Sequence, residues 1–129
     1  MAADIVFSNP PALLPPTGYS YAVEVKNAER RLIISGQVGV AADGSVPDSP
    51  EGQIAQTFAN LRAILSANGM SIANIVQTTV YLTDRAHLPA FRAVRAAAFD
   101  VHAPASTLLF VSGLADPRFV VEIEAEAVT

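Results

Sequence analysis

The last apolar–acidic segment, Phe119–Val128, constrains this chain more than any other. Within Phe119–Val128, residues Val121, Ile123, Ala125 and Ala127 alternate strictly with Glu122, Glu124 and Glu126. A period of two places the apolar set on one face of a β-strand and three carboxylates, roughly 7 Å apart, on the other. Such a strand needs neighbours to pair with and a layer to cover its apolar face.

Two helices supply that layer. Ile54, Phe58, Leu61 and Leu65 recur at helical spacing, and Asn68-Gly69 gives a stop. Leu88–Phe99 reads as a second helix, with Leu88, Phe91, Val94 and Ala98 on one face and Pro89 tolerable only in the first turn. The remaining strands are Ile5–Ser8, Tyr19–Lys26, Arg31–Val38, Asn74–Thr83 and Ser106–Gly113. A Pro-rich loop (prolines 10, 11, 15 and 16) separates the first two. The polar turn Asn27–Arg30 predicts a hairpin between Tyr19–Lys26 and Arg31–Val38. The order β-β-β-α-β-α-β-β makes a single α+β domain over 1–129, a mixed six-stranded sheet with both helices on one face.

The other sheet face then has no cover. Mean hydropathy is +0.36, high for 129 residues, because small domains hide a smaller share of their surface. Association of subunits through that face accounts for both observations; an Ala-rich core accounts for the hydropathy alone. Eight Lys and Arg against twelve Asp and Glu leave a net charge of −4, which speaks against binding to nucleic-acid phosphates. There is no Cys, hence no disulfide, thiol nucleophile or thiolate metal site. The N-terminus lacks a basic start followed by an apolar run, and no apolar stretch reaches 18 residues, so a soluble cytoplasmic protein without membrane contact is expected.

Metal ligation fails on count: His87 and His102 stand alone, and HExxH and calcium-loop patterns are absent. No phosphate-binding glycine loop and no GxSxG elbow occurs. The carboxylate face of the last strand is more informative. Either Glu122, Glu124 and Glu126 meet solvent, or subunits bury the face and desolvate a carboxyl, which can then move protons near neutral pH.

Five stretches, in order, carry a resemblance. They are Gly18-Tyr19-Ser20-Tyr21-Ala22-Val23; Ile34-Ser35-Gly36-Gln37; Gln56-Thr57 with Asn60-Leu61 running into Ala67-Asn68-Gly69; Thr78-Thr79-Val80-Tyr81-Leu82-Thr83-Asp84; and Pro104-Ala105 through Val121-Glu122-Ile123-Glu124-Ala125. Together they resemble the RidA/YjgF family of reactive-intermediate deaminases, over nearly all of residues 5–128. The resemblance implies a chorismate-mutase-like subunit and a homotrimer with sites at subunit interfaces. It also implies cofactor-free hydrolysis of enamines or imines to a carbonyl compound and ammonia. The family's carboxylate-gripping arginine follows Pro-Ala; Ser106 stands there in this chain, so it resembles subfamilies lacking that arginine. Some of those are linked to aminomuconate-like intermediates.

By the same resemblance, Glu122 is the acid–base group. Tyr19, Ser35, Gly36, Arg92, Ser106 and Leu108 line the substrate site, with Arg92 where the family usually has Asn. A hydroxyl cannot replace a bidentate cation, so simple 2-imino acids are expected to be poor substrates. Plain structural roles stay open: Tyr19 packing at a subunit edge, Ser35 ending a strand, Arg92 solvated. A second function class is also open, a non-catalytic trimer whose clefts bind a small metabolite or a protein partner. Family members have also been called ribonucleases, a role this acidic, Lys-poor chain does not support electrostatically.

Overall fold

The computed structural model describes residues 3–129; residues 1 and 2 of the expected domain lie outside the described residues. It is α+β and chorismate-mutase-like, with six strands: β1 (Asp4–Ser8), β2 (Ala22–Lys26), β3 (Arg31–Gln37), β4 (Ile75–Leu82), β5 (Ala105–Phe110) and β6 (Val121–Val128). The helices are α1 (Pro50–Ala67), between β3 and β4, and α2 (Leu88–Phe99), between β4 and β5.

Local chemistry sets the helix ends. The Ser49 hydroxyl accepts from the Gly52 amide at 3.0 Å, capping α1. Pro50 follows where a missing N–H costs nothing. At the other end the Asn68 and Gly69 amides bond back to Leu65 and Ser66 carbonyls. Ile54, Phe58, Leu61 and Leu65 are all buried, as their spacing requires. The α2 face buries Phe91 and Phe99. Phe58 stacks on Phe91 with centroids 6.1 Å apart and meets Phe99 edge-on at 5.4 Å. Such ring pairs add about 0.5–1.5 kcal/mol each beyond area burial.

The helices pack on the face formed by Val121, Ile123, Ala125, Val80, Leu82 and Ile34. Four strands run in the order β3-β6-β4-β5, with β4 and β5 parallel and the other pairs antiparallel. The fully buried Val121, Ile123 and Ala127 confirm the phase read for the last strand. His102, at the end of the second crossover, bonds its ring nitrogen to the Ile75 carbonyl at 2.7 Å and edges against Phe7 and Phe99.

One pairing differs from expectation. β2 and β3 do not form a hairpin: β2 pairs with β1, and β3 pairs with β6. Asn27 takes a left-handed backbone (φ 58°), and the Glu29 and Arg30 amides both donate to the Thr129 carbonyl. The turn is therefore fastened to the C-terminus and passes the chain from one ladder to the other. The β1–β2 ribbon joins the larger sheet where the Ser20 amide donates to the Pro104 carbonyl, beside a parallel bridge from Ser20 to Ala105.

The second sheet face carries Gln77, Thr79 and Tyr81 of β4 opposite Glu126, Glu124 and Glu122 of β6. Among the described residues no helix covers it, and Ile33 is 65% and Leu109 46% exposed there. Among the described residues no helix is long and apolar enough to cross a membrane.

Candidate active site

On the helix side, at the β5 edge, a cleft of about 300 Å³ opens between β5, α2 and the loop ending at Tyr19. Its walls are Thr17, Tyr19, Leu88, Arg92, Arg95, Ser106 and Leu108. Strand alternation turns Ser106 and Leu108 the same way, opposite Thr78 and Val80 of the core face. The Thr78 hydroxyl donates to Ser106 Oγ at 3.0 Å, which leaves the Ser106 proton available for a further bond. Tyr19 stands edge-on to Tyr21 at 5.7 Å. Gly18 has a positive φ of 78°, and a Cβ there would fall 2.6 Å from Arg95 Cζ. Only glycine meets both demands. Burial, and secondarily the neighbouring Arg92 charge, hold the Arg95 guanidinium below the usual arginine range.

The carboxylates occupy a different place. In β3 three steps, Ile34 to Gln37, span only two in β6, Ala125 to Ile123, so an extra residue bulges at Ser35-Gly36. Glu122 rises over that bulge: a Cβ on Gly36 would fall 2.8 Å from Glu122 Cδ. Glu124 accepts the Tyr81 hydroxyl at 2.8 Å, which pushes the tyrosine pKa up. Glu126 pairs with Arg31, Nη2 to Oε2 being 3.2 Å. Glu122 accepts no hydrogen bond and forms no ion pair among the described residues. It is the one carboxylate of the three left free for chemistry.

The expected site residues therefore fall into two groups. Tyr19, Arg92, Ser106 and Leu108 come together in the cleft. Ser35, Gly36 and Glu122 come together at the bulge. The groups lie at opposite edges of the four-stranded sheet, and Glu122 alternates away from the core face to which Ser106 belongs. A single chain does not unite them. Sequence reasoning missed Arg95, Thr17 and Leu88. The signal for Arg95 was its spacing of three from Arg92, which sets both on one helix face. Among the described residues no group of three or more His, Cys, Asp or Glu could hold a metal ion.

Known proteins share this architecture. Along nearly its whole length the chain is 35% identical to a 2-iminobutanoate/2-iminopropanoate deaminase of Escherichia coli, covering 99% of this chain and 98% of that protein. Among solved structures, a protein of unknown function of the conserved Rid family from Yersinia pestis superposes with a TM-score of 0.88 at 32% identity, covering 97% and 98% of the two chains. RidA from an Antarctic Psychrobacter gives a TM-score of 0.74 at 31% identity, covering 90% of this chain and 92% of that one. The model of the Endoribonuclease L-PSP family matches residues 10–129. With the five sequence stretches and the helix-backed sheet, these matches place the chain in the Endoribonuclease L-PSP family, the RidA/YjgF family of the sequence resemblance.

Proposed function

We propose that this protein hydrolyses a reactive enamine or imine to a carbonyl compound and ammonia, at clefts completed by a neighbouring copy in a homotrimer. The observation that carries the reading is Glu122, a carboxylate without a hydrogen-bond partner among the described residues, seated over the β-bulge at Ser35-Gly36. A relative of matching length is named for deamination of 2-imino acids. Exposed Ile33 and Leu109 on the uncovered face favour association, and so does the separation of the two residue groups.

The chemistry follows from these groups. Glu122 orients a water and takes its proton as the water oxygen bonds to the C=N carbon. Protonation of nitrogen and cleavage of the C–N bond then release ammonia and leave the carbonyl; an enamine first tautomerises to the imine. The Ser106 hydroxyl and amides at Ser35-Gly36 are donors for developing charge. Tyr19 and Leu108 give the cleft its apolar wall. No cofactor is required, and aminomuconate-like enamines are one substrate class to include.

A second reading, a trimeric binding protein without catalysis, draws on Ser106 in place of the carboxylate-gripping arginine. Ammonia release from freshly generated imines and enamines, with and without α-carboxylates, tests the choice. Hydrolysis above the spontaneous rate that Glu122→Gln abolishes is expected. Binding of the carbonyl products with no acceleration of any member of the panel would favour the second reading.

A further inference from the structure

Three arginines in this chain have acidic or hydrogen-bonding partners. Arg31 pairs with Glu126 and Arg118 with Asp116. Arg30 donates to the Asn68 carbonyl at 2.9 Å and the Thr129 hydroxyl at 3.3 Å. Arg85 lies 4.7 Å from the Phe110 ring centroid, and Arg62 lies on α1 outside the cleft. Arg92 and Arg95 are placed differently. They sit three residues apart on α2, both line the cleft, and neither forms an ion pair with a described residue. Arg95 is held in place: its guanidinium carbon lies 5.6 Å from the Phe91 ring centroid, and the missing Cβ of Gly18 makes room for it.

Two like charges in a partly desolvated cleft repel, and neither arginine can shed its proton. The arrangement is relieved when an anion enters. A guanidinium fork takes one carboxylate in bidentate fashion, so two unpaired forks match two carboxylates. A monocarboxylate leaves one cation uncompensated. The net charge of −4 makes this local concentration of positive charge more distinctive. The volume of about 300 Å³ suits a small metabolite.

We propose that Arg95, acting with Arg92, is the anion-recognition element of the cleft, and that it selects a substrate carrying two carboxylates. Only the identity of the reacting imine or enamine rests on the deaminase reading; recognition of the dianion does not. Arg95 is then the main specificity determinant, and charge recognition in this chain lies on α2 instead of at position 106 of β5.

The test measures binding and turnover separately. 2-Oxoglutarate and pyruvate, stable carbonyl counterparts of a dicarboxylic and a monocarboxylic imine, are titrated calorimetrically into the full-length protein. Arg95→Met, Arg95→Lys, Arg92→Met and Arg62→Ala are compared with the parent. Methionine keeps the apolar stem over Phe91, Lys keeps the charge without the fork, and Arg62 on α1 controls for loss of one positive charge. Preferential binding of 2-oxoglutarate is expected. Arg95→Met should weaken it about ten- to a hundred-fold, Arg95→Lys less, and Arg62→Ala not at all. Equal binding of the two acids, or 2-oxoglutarate binding indifferent to Arg95→Met and Arg92→Met, would overturn the proposal. Turnover of 2-iminoglutarate and 2-iminopropionate is then compared, and the KM for the dianion should rise in Arg95→Met. Arg95-dependent 2-oxoglutarate binding with no imine turnover would refute the deaminase reading and leave the anion site standing. Turnover unaffected by Arg95→Met would do the reverse.

Discussion

Glu122 fills the space over Gly36 that a side chain at that position would need, its Cδ lying 2.8 Å from where a Cβ would stand. The two residues are 86 apart in sequence and meet because β3 bulges beside β6. Gly36 has no left-handed φ, so an alanine there meets steric crowding but no backbone strain. Gly36→Ala should displace the Glu122 carboxylate and reduce ammonia release by at least ten-fold with the fold intact. Glu122→Gln should abolish turnover, since Gln keeps the volume and takes no proton. Glu124→Gln should matter little, because Gln still accepts from Tyr81. Circular dichroism with initial-rate measurements separates these cases; full activity in Glu122→Gln would remove its acid–base role.

Ser106→Arg tests the position at which the sequence resemblance implies a carboxylate-gripping cation. Simple 2-imino acids should be poor substrates of the parent protein, and the substitution should raise 2-iminopropionate turnover about ten-fold or more, the scale of one charge-assisted contact. Leu108 lines the same cleft and must leave room for the guanidinium. Coupled lactate dehydrogenase detection of pyruvate reads the change directly. No gain in Ser106→Arg, or fast hydrolysis by the parent, would show that charge supply at position 106 does not set the preference.

Much of this architecture was legible because periodicity is local information. The phase of β6, the α1 stripe Ile54–Leu65 and the limits of α2 all follow from spacing within one segment. The partner of β3 did not, since β6 lies about 90 residues downstream and the polar turn 27–30 is equally compatible with a hairpin. Nothing near Glu122 in the sequence announces Gly36. Arg95 sits in an alanine-rich stretch, and its place in the cleft emerges only when Gly18 and β5 close around it.

Association through the uncovered sheet face gives a third prediction. Ile33 is 65% exposed and sits directly opposite Glu126. Ile33→Glu would set like charges face to face on that surface while leaving the helix-backed core untouched. Light scattering should find a trimer for the parent protein and a shift towards the 13.5 kDa monomer for the variant. Activity should fall with the trimer, because the proposed shared site needs the bulge of one copy to meet the cleft of another. A parent protein that is monomeric at micromolar concentration would exclude the shared site.

Gln53 links three segments and predicts a purely structural effect. It is buried at 3% exposure. Its amide nitrogen donates to the Arg118 carbonyl at 2.8 Å and the Pro47 carbonyl at 3.2 Å, and its oxygen accepts from the Val120 amide at 3.0 Å. The α1 entry and the loop leading into β6 are thus joined through one side chain. Gln53→Ala strands three backbone groups, each costing up to a few kcal/mol when buried and unpaired, for a total loss of about 2–4 kcal/mol after partial access to water. Gln53→Glu keeps an acceptor for Val120 but loses both donated bonds, and should be at least as damaging because it also buries a charge. Urea unfolding at a fixed protein concentration measures the difference. A Gln53→Ala midpoint matching the parent would mean that the loop before β6 is held by its own packing, with the Asp116–Arg118 pair the next contact to remove.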